Sequence, residues 1–400
     1  MRKSIRCTVA VTTAVFLTTL GVPAAANAAA PAEKAVLAAP GAEVVPGSYV
    51  VVLKENRSAV TGQARTLAAR HGGTVRQTYS HALRGFAATM SAQQARRMAA
   101  DPAVDFVQAD VVHRASDTQT NPPSYGLDRI DQRNLPLNSA YTYSTTASNV
   151  HAYVIDTGIR TTHSDFGGRA TSGFDAVDGG TADDCNGHGT HVAGTVGGTS
   201  YGVAKGVQLV AVRVLNCQGS GTTAQVVAGI DWVTANAQKP AVANMSLGGG
   251  ADTALDNAVT SSIASGVSYS IAAGNGLFGI IALDACTQSP ARVPTALTVS
   301  ATDSSDRKPS WANRGTCVDV FAPGINITSA WGTSDTATNT ISGTSMATPH
   351  VTGAAALYLA THPTATAAAV HSAIVSSATT GVVGSPGSGS PNRLLYTGGF

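Results

Sequence analysis

From residue 150 onward the chain repeats one pattern: short apolar runs with no strict polar alternation. They are Val150 to Ile155, Val207 to Leu215, Ala241 to Met245, Val267 to Ala273, Ala296 to Ala301 and Val318 to Phe321. A strand with one face in water alternates apolar and polar residues, so runs that are apolar throughout need cover on both faces. Helical patterns lie between several of them. Thr223 to Ala235 sets Val226, Val227, Ile230 and Val233 on one side, and Asp252 to Ser265 is a second. Apolar strands alternating with helices predict an α/β fold, a parallel sheet with helices on both faces. Reactive groups in such a sheet collect at the carboxyl ends of its strands.

Three polar residues stand where that rule points. Asp156 closes the first run in Val154-Ile155-Asp156-Thr157-Gly158-Ile159; a lone Asp there more often caps a turn. His188 lies in Asn186-Gly187-His188-Gly189-Thr190-His191-Val192-Ala193-Gly194-Thr195, with glycines on both sides that let it reach a cleft. Ser345, in Ile341-Ser342-Gly343-Thr344-Ser345-Met346-Ala347-Thr348-Pro349-His350, opens a helix that continues through Val351 to Leu359. Pro349 is expected in the first turn, where its missing N–H costs little, and Gly343 is expected to admit another backbone closely. The helix end offers unpaired N–H groups to a developing negative charge. A serine hydroxyl is a poor nucleophile unless a base takes its proton, which gives His188 a task and Asp156 the task of orienting it. A zinc reading of His188 and His191 with Asp184 and Cys185 lacks the usual spacing of four with an intervening Glu.

A smaller pattern precedes the sheet. Gly47 to Lys54 reads as a strand, Ala59 to His71 as a helix stopped by Gly72-Gly73, and Thr74 to Tyr79 and Gly85 to Met90 as strands. Ser91 caps a helix through Ala100, and Val104 to Val112 is a last strand. The order β-α-β-β-α-β is that of a small α+β, ferredoxin-like domain.

The 400 residues suffice for two domains, and 43% hydrophobic content for a sizeable core. With 12% charged residues and a net charge of +2, there is no nucleic-acid signature. Met1 to Arg6 is basic, Cys7 to Leu20 is uncharged but too short to span a bilayer, and Ala26-Asn27-Ala28 has cleavage-site spacing. This predicts a secretory signal peptide over 1–28 and a released product with no membrane anchor. Export leaves Cys185, Cys217, Cys286 and Cys317 in an oxidising space, an even set that predicts two disulfides with three pairings open.

The segments Asp156-Thr157-Gly158, Asn186 to Thr195 and Gly343 to His350 resemble the motifs of the subtilisin-like serine proteases, peptidase family S8, in their chain order of Asp, His, Ser. Details are most similar to the proteinase K and aqualysin-like branch, and residues 47–113 resemble the family's inhibitor I9-type propeptide. The resemblance implies a secreted serine endopeptidase (class EC 3.4.21) of broad specificity favouring apolar or aromatic P1 residues, made as a self-cleaving, autoinhibited precursor. It divides the chain into signal peptide 1–28, linker 29–46, inhibitory and folding propeptide 47–115 and catalytic domain 116–400, with self-cleavage between Arg114 and Thr118. Its partners would be protein substrates and its own propeptide, and the product a monomer. The family's roles fall on Asp156, His188 and Ser345 as the triad and on Asn275, in Ala272-Ala273-Gly274-Asn275, as oxyanion donor. Cys185 with Cys217 and Cys286 with Cys317 are the implied pairs.

Ser246-Leu247-Gly248-Gly249-Gly250 reads as an unobstructed strand edge, with Ser220-Gly221 as the opposite wall and Ala273-Gly274 beside them, so an extended peptide adds between them as a strand. A structural Ca²⁺ is implied at Asp128, Asp131 and Gln132 and at Asp319 with the carbonyls of Pro294 and Ala296. Asp175, Asp178, Asp183 and Asp184 form a further acidic cluster. One segment departs from the family: Gly276-Leu277-Phe278-Gly279-Ile280-Ile281-Ala282-Leu283 is apolar where relatives are short and polar. It walls the P1 pocket, narrows it, binds another surface or tucks into the core.

Overall fold

The computed structural model describes residues 32–38, 44–55, 59–111 and 116–400. The expected signal peptide, part of the linker, and Arg114 and Ala115 of the cleavage window lie outside the described residues. The chain divides into two compact units, the first ending at Asp110 and the second running from Val111 to Phe400.

In the first unit the elements follow the expected order: Val44–Leu53, Val60–His71, Thr74–Tyr79, Gly85–Thr89, Ala92–Ala99 and Val104–Val111. The first strand starts at Val44, so the last three residues assigned to the linker already belong to the sheet. Spatial order is Thr74–Tyr79, Gly85–Thr89, Val44–Leu53, Val104–Val111. The Ser91 hydroxyl accepts from the Gln94 N–H while the Gln94 side chain accepts from the Ser91 N–H, a capping box that starts the second helix where the sequence predicted. Val51, Leu67, Phe86, Met98 and Val107 meet in its core.

The second unit is built on a nine-stranded sheet. From one edge the order is Thr379–Thr380, Arg393–Leu394, Val320–Pro323, Leu297–Thr302, Ser268–Ala272, Ala241–Met245, His151–Asp156, Gln208–Arg213 and Ala170–Asp175. Each neighbouring pair is parallel except the first. Successive side chains of one strand serve opposite cores: Val154 packs with Val192, Ala347 and Val351, whereas Ile155 packs with Val212, Val226 and Ile230. Helices Thr223–Asn236 and Thr253–Ala264 cover the second core; helices His188–Gly197, Thr344–Thr361 and Ala367–Ser377 cover the first. The disulfides join Cys185 to Cys217 and Cys286 to Cys317, the pairing the resemblance implied. Of the cleavage window, Asp117 and Thr118 lie in a strand, Asp117–Thr120, paired antiparallel with Ala140–Tyr143.

Arg129 lies between the candidate calcium ligands Asp128 and Asp131. Fully buried, it makes a two-pronged ion pair with Asp306 (2.6 and 3.0 Å) and donates to the Gln132 and Arg133 carbonyls. Removing one partner strands the other charge in the interior. Asp306→Ala is therefore expected to lower unfolding stability by about 3 to 5 kcal/mol, measured by denaturant titration, whereas an unchanged midpoint would show the guanidinium to be hydrated.

Candidate active site

Strand His151–Asp156 has Gln208–Arg213 on one flank and Ala241–Met245 on the other. The chain visits one side of it first and the other afterwards, so the order reverses here and a crevice opens beyond the carboxyl ends. Asp156 is the last residue of that strand and is fully buried; Ser246 directly follows the neighbouring one.

His188 begins helix His188–Gly197, and its Nδ1 lies 2.8 Å from Asp156 Oδ1. The ring is one quarter exposed, so its far nitrogen is open to the cleft. Burial disfavours the charged ring, but the Asp156 charge and hydrogen bond, with Asp184 beyond, outweigh it and hold the His188 pKa above the ordinary imidazole value. Both flanking glycines are required. A Cβ on Gly187, which has φ 108, would lie 2.4 Å from the Trp331 ring, and one on Gly189 would lie 2.1 Å from the Gly158 carbonyl.

Asp184 does work the sequence reading did not foresee. Its Oδ1 accepts from the Thr157 hydroxyl and the Asn186 and Gly187 N–H groups, and its Oδ2 from the Thr190 N–H and hydroxyl. Thr157 in turn accepts from the Gly189 N–H. These bonds stitch the Asp156 turn to the loop that carries His188. Each acid of the cluster has a partner within the protein: Asp184 holds this loop, Asp175 and Asp178 pair with Arg213, and Asp183 accepts from Thr181. Nor does His191 take part, since it is buried with Nε2 on the Ile327 carbonyl, and burial pushes its pKa down to about 4.

Helix Thr344–Thr361 brings up the serine. Gly343 is the N-cap residue and Ser345 the second helical residue, one of the four whose N–H has no partner within a helix. Asn275 turns beside it: its Oδ1 accepts from the Thr344 N–H (2.9 Å) and hydroxyl (2.8 Å), leaving Nδ2 toward Gly343. The Gly324 backbone does come close, its carbonyl accepting from the Gly343 N–H at 2.8 Å, but it is not what a Gly343 side chain would meet. A Cβ there would instead sit 3.5 Å from both Asn275 Nδ2 and the Ser345 N, so the missing side chain leaves a space between two N–H donors. The Ser345 hydroxyl itself donates to the Ser246 carbonyl, 3.1 Å away. Pro349 is not in the first turn but in the second, because the helix starts already at Thr344.

A cleft of about 770 Å³ is lined by His188, Ser220, Gly221, Ser246 and Leu247 to Gly249. A second cavity of about 300 Å³ shares Leu247 to Gly249 and adds Ala273, Gly274, Asn275 and Ser345. The glycine edge is not wholly unobstructed, since Gly249–Gly250 pairs antiparallel with Gln288–Ser289. Of the segment 276–283 only Gly276 lines the smaller cavity; the apolar residues 277–283 line neither cavity. They do not enter the core either. Leu277 donates to the Ile281 carbonyl in a tight turn with Phe278 and Gly279 at φ 52 and 67, and Phe278 and Ile280 are 87% and 68% exposed.

Among the described residues no three His, Cys, Asp or Glu side chains gather in a metal-holding cluster. The donors near Asp131 nevertheless fit a hard cation. Asp131 Oδ1 is buried without a partner, and burial pushes that carboxyl up to about 6, with the Thr142 N–H pulling it back and the Asp128 charge adding to it. Asp128 accepts from the Asn138 and Ser139 N–H groups, and the Gln132 amide N–H donates to the Asn134 and Pro136 carbonyls. At the other position Asp319 accepts from the Thr298 N–H and faces His371 Nε2 at 3.4 Å, so a cation there competes with an imidazole; Pro294 is exposed and Ala296 buried.

Strand-end carboxylate, imidazole and helix-borne serine define the hydrolase class to which the comparisons also lead. Residues 148–394 match the subtilase family, peptidase S8, and residues 48–116 match peptidase inhibitor I9. The chain belongs to the subtilase family of serine peptidases. It is 52% identical over 396 residues to an extracellular serine proteinase of Thermus sp. (strain Rt41A), covering 94% of each chain. It is 53% identical over 330 residues to alkaline serine exoprotease A of Vibrio alginolyticus, covering 81% of this chain and 60% of that one. The crystal structure of a cold-adapted subtilisin-like serine proteinase superposes with a TM-score of 0.66 at 55% identity, over 68% of this chain and 97% of that one.

The backbone of Gly343, φ 168, is extended and suits any residue, so Gly343→Ala tests the space between the two donors without straining the chain. It is expected to lower kcat by about 10²-fold, the lower end of what losing one such donor costs in subtilisin, at an unchanged unfolding temperature. Steady-state kinetics beside calorimetry reads both.

Proposed function

We propose that the protein is a secreted serine endopeptidase of broad specificity, made as an autoinhibited precursor that cuts itself. Ser345 Oγ attacks the substrate carbonyl, His188 takes its proton and later returns one to the leaving amine, and Asp156 holds the ring tautomer and stabilises the imidazolium. Asn275 Nδ2 and the Ser345 N–H receive the negative oxygen of the tetrahedral intermediate. The observations that carry this reading are the pairing of a buried strand-end carboxylate with His188 at 2.8 Å and, at the head of the serine's helix, a space bounded by two N–H donors. Before attack, the hydroxyl turns from the Ser246 carbonyl toward the ring.

An extended substrate adds along Leu247 to Gly249, with Ser220-Gly221 opposite, and its P1 side chain enters the smaller cavity. Leu247, Ala273 and Ala291 give that cavity an apolar wall beside polar Gln288, Ser289 and Asn313, and no charged side chain lines it, which suits an apolar or aromatic P1 side chain. Residues 1–28 direct export, which suits the two disulfides, and residues 47–115 form the inhibitory propeptide. Cleavage falls on the N-terminal side of strand Asp117–Thr120, before Ser116. Among the described residues no helix is long and apolar enough to cross a membrane. Ca²⁺ at Asp128, Asp131 and Gln132, or at Asp319, would screen buried carboxylates and stiffen loops; it has no part in the chemistry. The released enzyme acts as a monomer on protein substrates.

A sulfonyl fluoride is expected to label Ser345 stoichiometrically, and Ser345→Ala to leave the precursor uncut. The mature N-terminus is expected at Ser116 by Edman sequencing. A labelled residue other than Ser345, or a mature chain beginning near Ala29, overturns the assignment. The pH profile follows from His188, which must be neutral to accept a proton while its environment favours the charged form. The acid limb of kcat/KM is thus expected to have its midpoint above 6.5, activity rising with pH through it, and to move downward in Asp156→Asn.

A further inference from the structure

Pro349 is the residue whose N–H would have closed the helical hydrogen bond to the Ser345 carbonyl, and proline has none. The carbonyl of the serine is thereby left without its helical partner. Ser246 Oγ–H donates to it at 2.8 Å. Ser246 is buried and is itself held: the Asn244 amide donates to its Oγ (2.9 Å), and the Thr352 hydroxyl donates to Asn244 Oδ1 (2.8 Å). Asn244 and Thr352 are fully buried, so the relay has no water to replace a lost member. Ser246 also accepts the Ser345 hydroxyl on its own carbonyl. One residue therefore touches the serine on both its backbone and its side chain.

We infer that the Ser246 hydroxyl is a positioning residue, standing in for the N–H that Pro349 lacks and so fixing Ser345 at the head of its helix. The chain Thr352, Asn244, Ser246 ties that serine to the central strand Ala241–Met245, beside the strand that ends on Asp156. Pro349 keeps the serine's carbonyl free of the helix and available to that strand. The inference rests on the serine-endopeptidase reading and adds to it a determinant of kcat that lies outside the reacting atoms.

The test is a double-mutant cycle in the full-length precursor. Rates are taken per competent site, counted by sulfonyl fluoride titration, on one short chromogenic peptide. Ser246→Ala is expected to lower kcat about tenfold with KM little changed, the size of one buried hydrogen bond lost. Pro349→Ala restores a backbone N–H at the helical distance from the Ser345 carbonyl. Adding it to Ser246→Ala is expected to recover most of the lost rate, although the two side chains do no chemistry together. Ser246→Ala matching the parent, or a loss that Pro349→Ala does not recover, overturns the inference. If Ser246→Ala alone yields no mature protein, recovery of processing in the double variant reports the same coupling, and failure to recover it again counts against it. A parent protein that neither labels nor hydrolyses the peptide removes the enzymatic reading itself, a result separable from every outcome of the cycle.

Discussion

Burial of helix Thr344–Thr361 is the constraint on which the rest depends. Ala347, Val351, Ala354, Ala355, Ala356 and Leu357 are all essentially removed from water, and the helix is apolar around most of its circumference. Such a helix is stable only when protein covers it on every side, and here that cover comes from the sheet and from helices His188–Gly197 and Ala367–Ser377. Its small side chains let these neighbours approach closely. Once the helix is fixed in the first core, its N-terminus emerges at the carboxyl ends of the strands, and Ser345 goes with it.

Two polar webs then convert a packed scaffold into a site. Asp184 and Thr157 hold the His188 loop against the Asp156 turn through bonds made mostly to backbone N–H groups. Thr344, Asn275 and Gly274 perform the matching task at the serine: Asn275 accepts twice from Thr344, and Thr344 accepts from the Gly274 N–H. A carboxylate or amide oxygen that accepts two or more bonds has little freedom left to rotate, so its remaining polar face is aimed in advance. The candidate groups on these distant segments are each held by neighbours to which no part in the chemistry is assigned.

Much of this was legible in the sequence, and the misses have physical causes. The six apolar runs correspond to strands within two residues at every end, since period and apolarity are local properties. Helix Thr253–Ala264 starts where Asp252 caps it, again a local signal. Pro349 was misplaced because a proline reads as a first-turn residue unless something supplies the bond it cannot make, and Ser246 lies 99 positions from Ser345. For the acidic cluster, nearness along the chain says nothing of which protein partner claims each carboxylate. Arg213 took two of them, and the His188 loop took a third.

The apolar turn at 277–281 makes the same point from the opposite side. Composition left a pocket wall, the core and another surface all open, and positive φ at Phe278 and Gly279 with a hydrogen bond from Leu277 to Ile281 close the segment on itself in solvent. By itself the sequence determined the α/β class, the ferredoxin-like order of the first unit and the family, and it singled out Asp156, His188, Asn275 and Ser345 as candidates, because motif and period are written in short stretches. Only the tertiary structure decided what holds those residues in place. Hydrogen bonds and ion pairs such as Arg129 to Asp306 are settled by which groups the fold brings within 3 Å, and that depends on every crossover of the sheet.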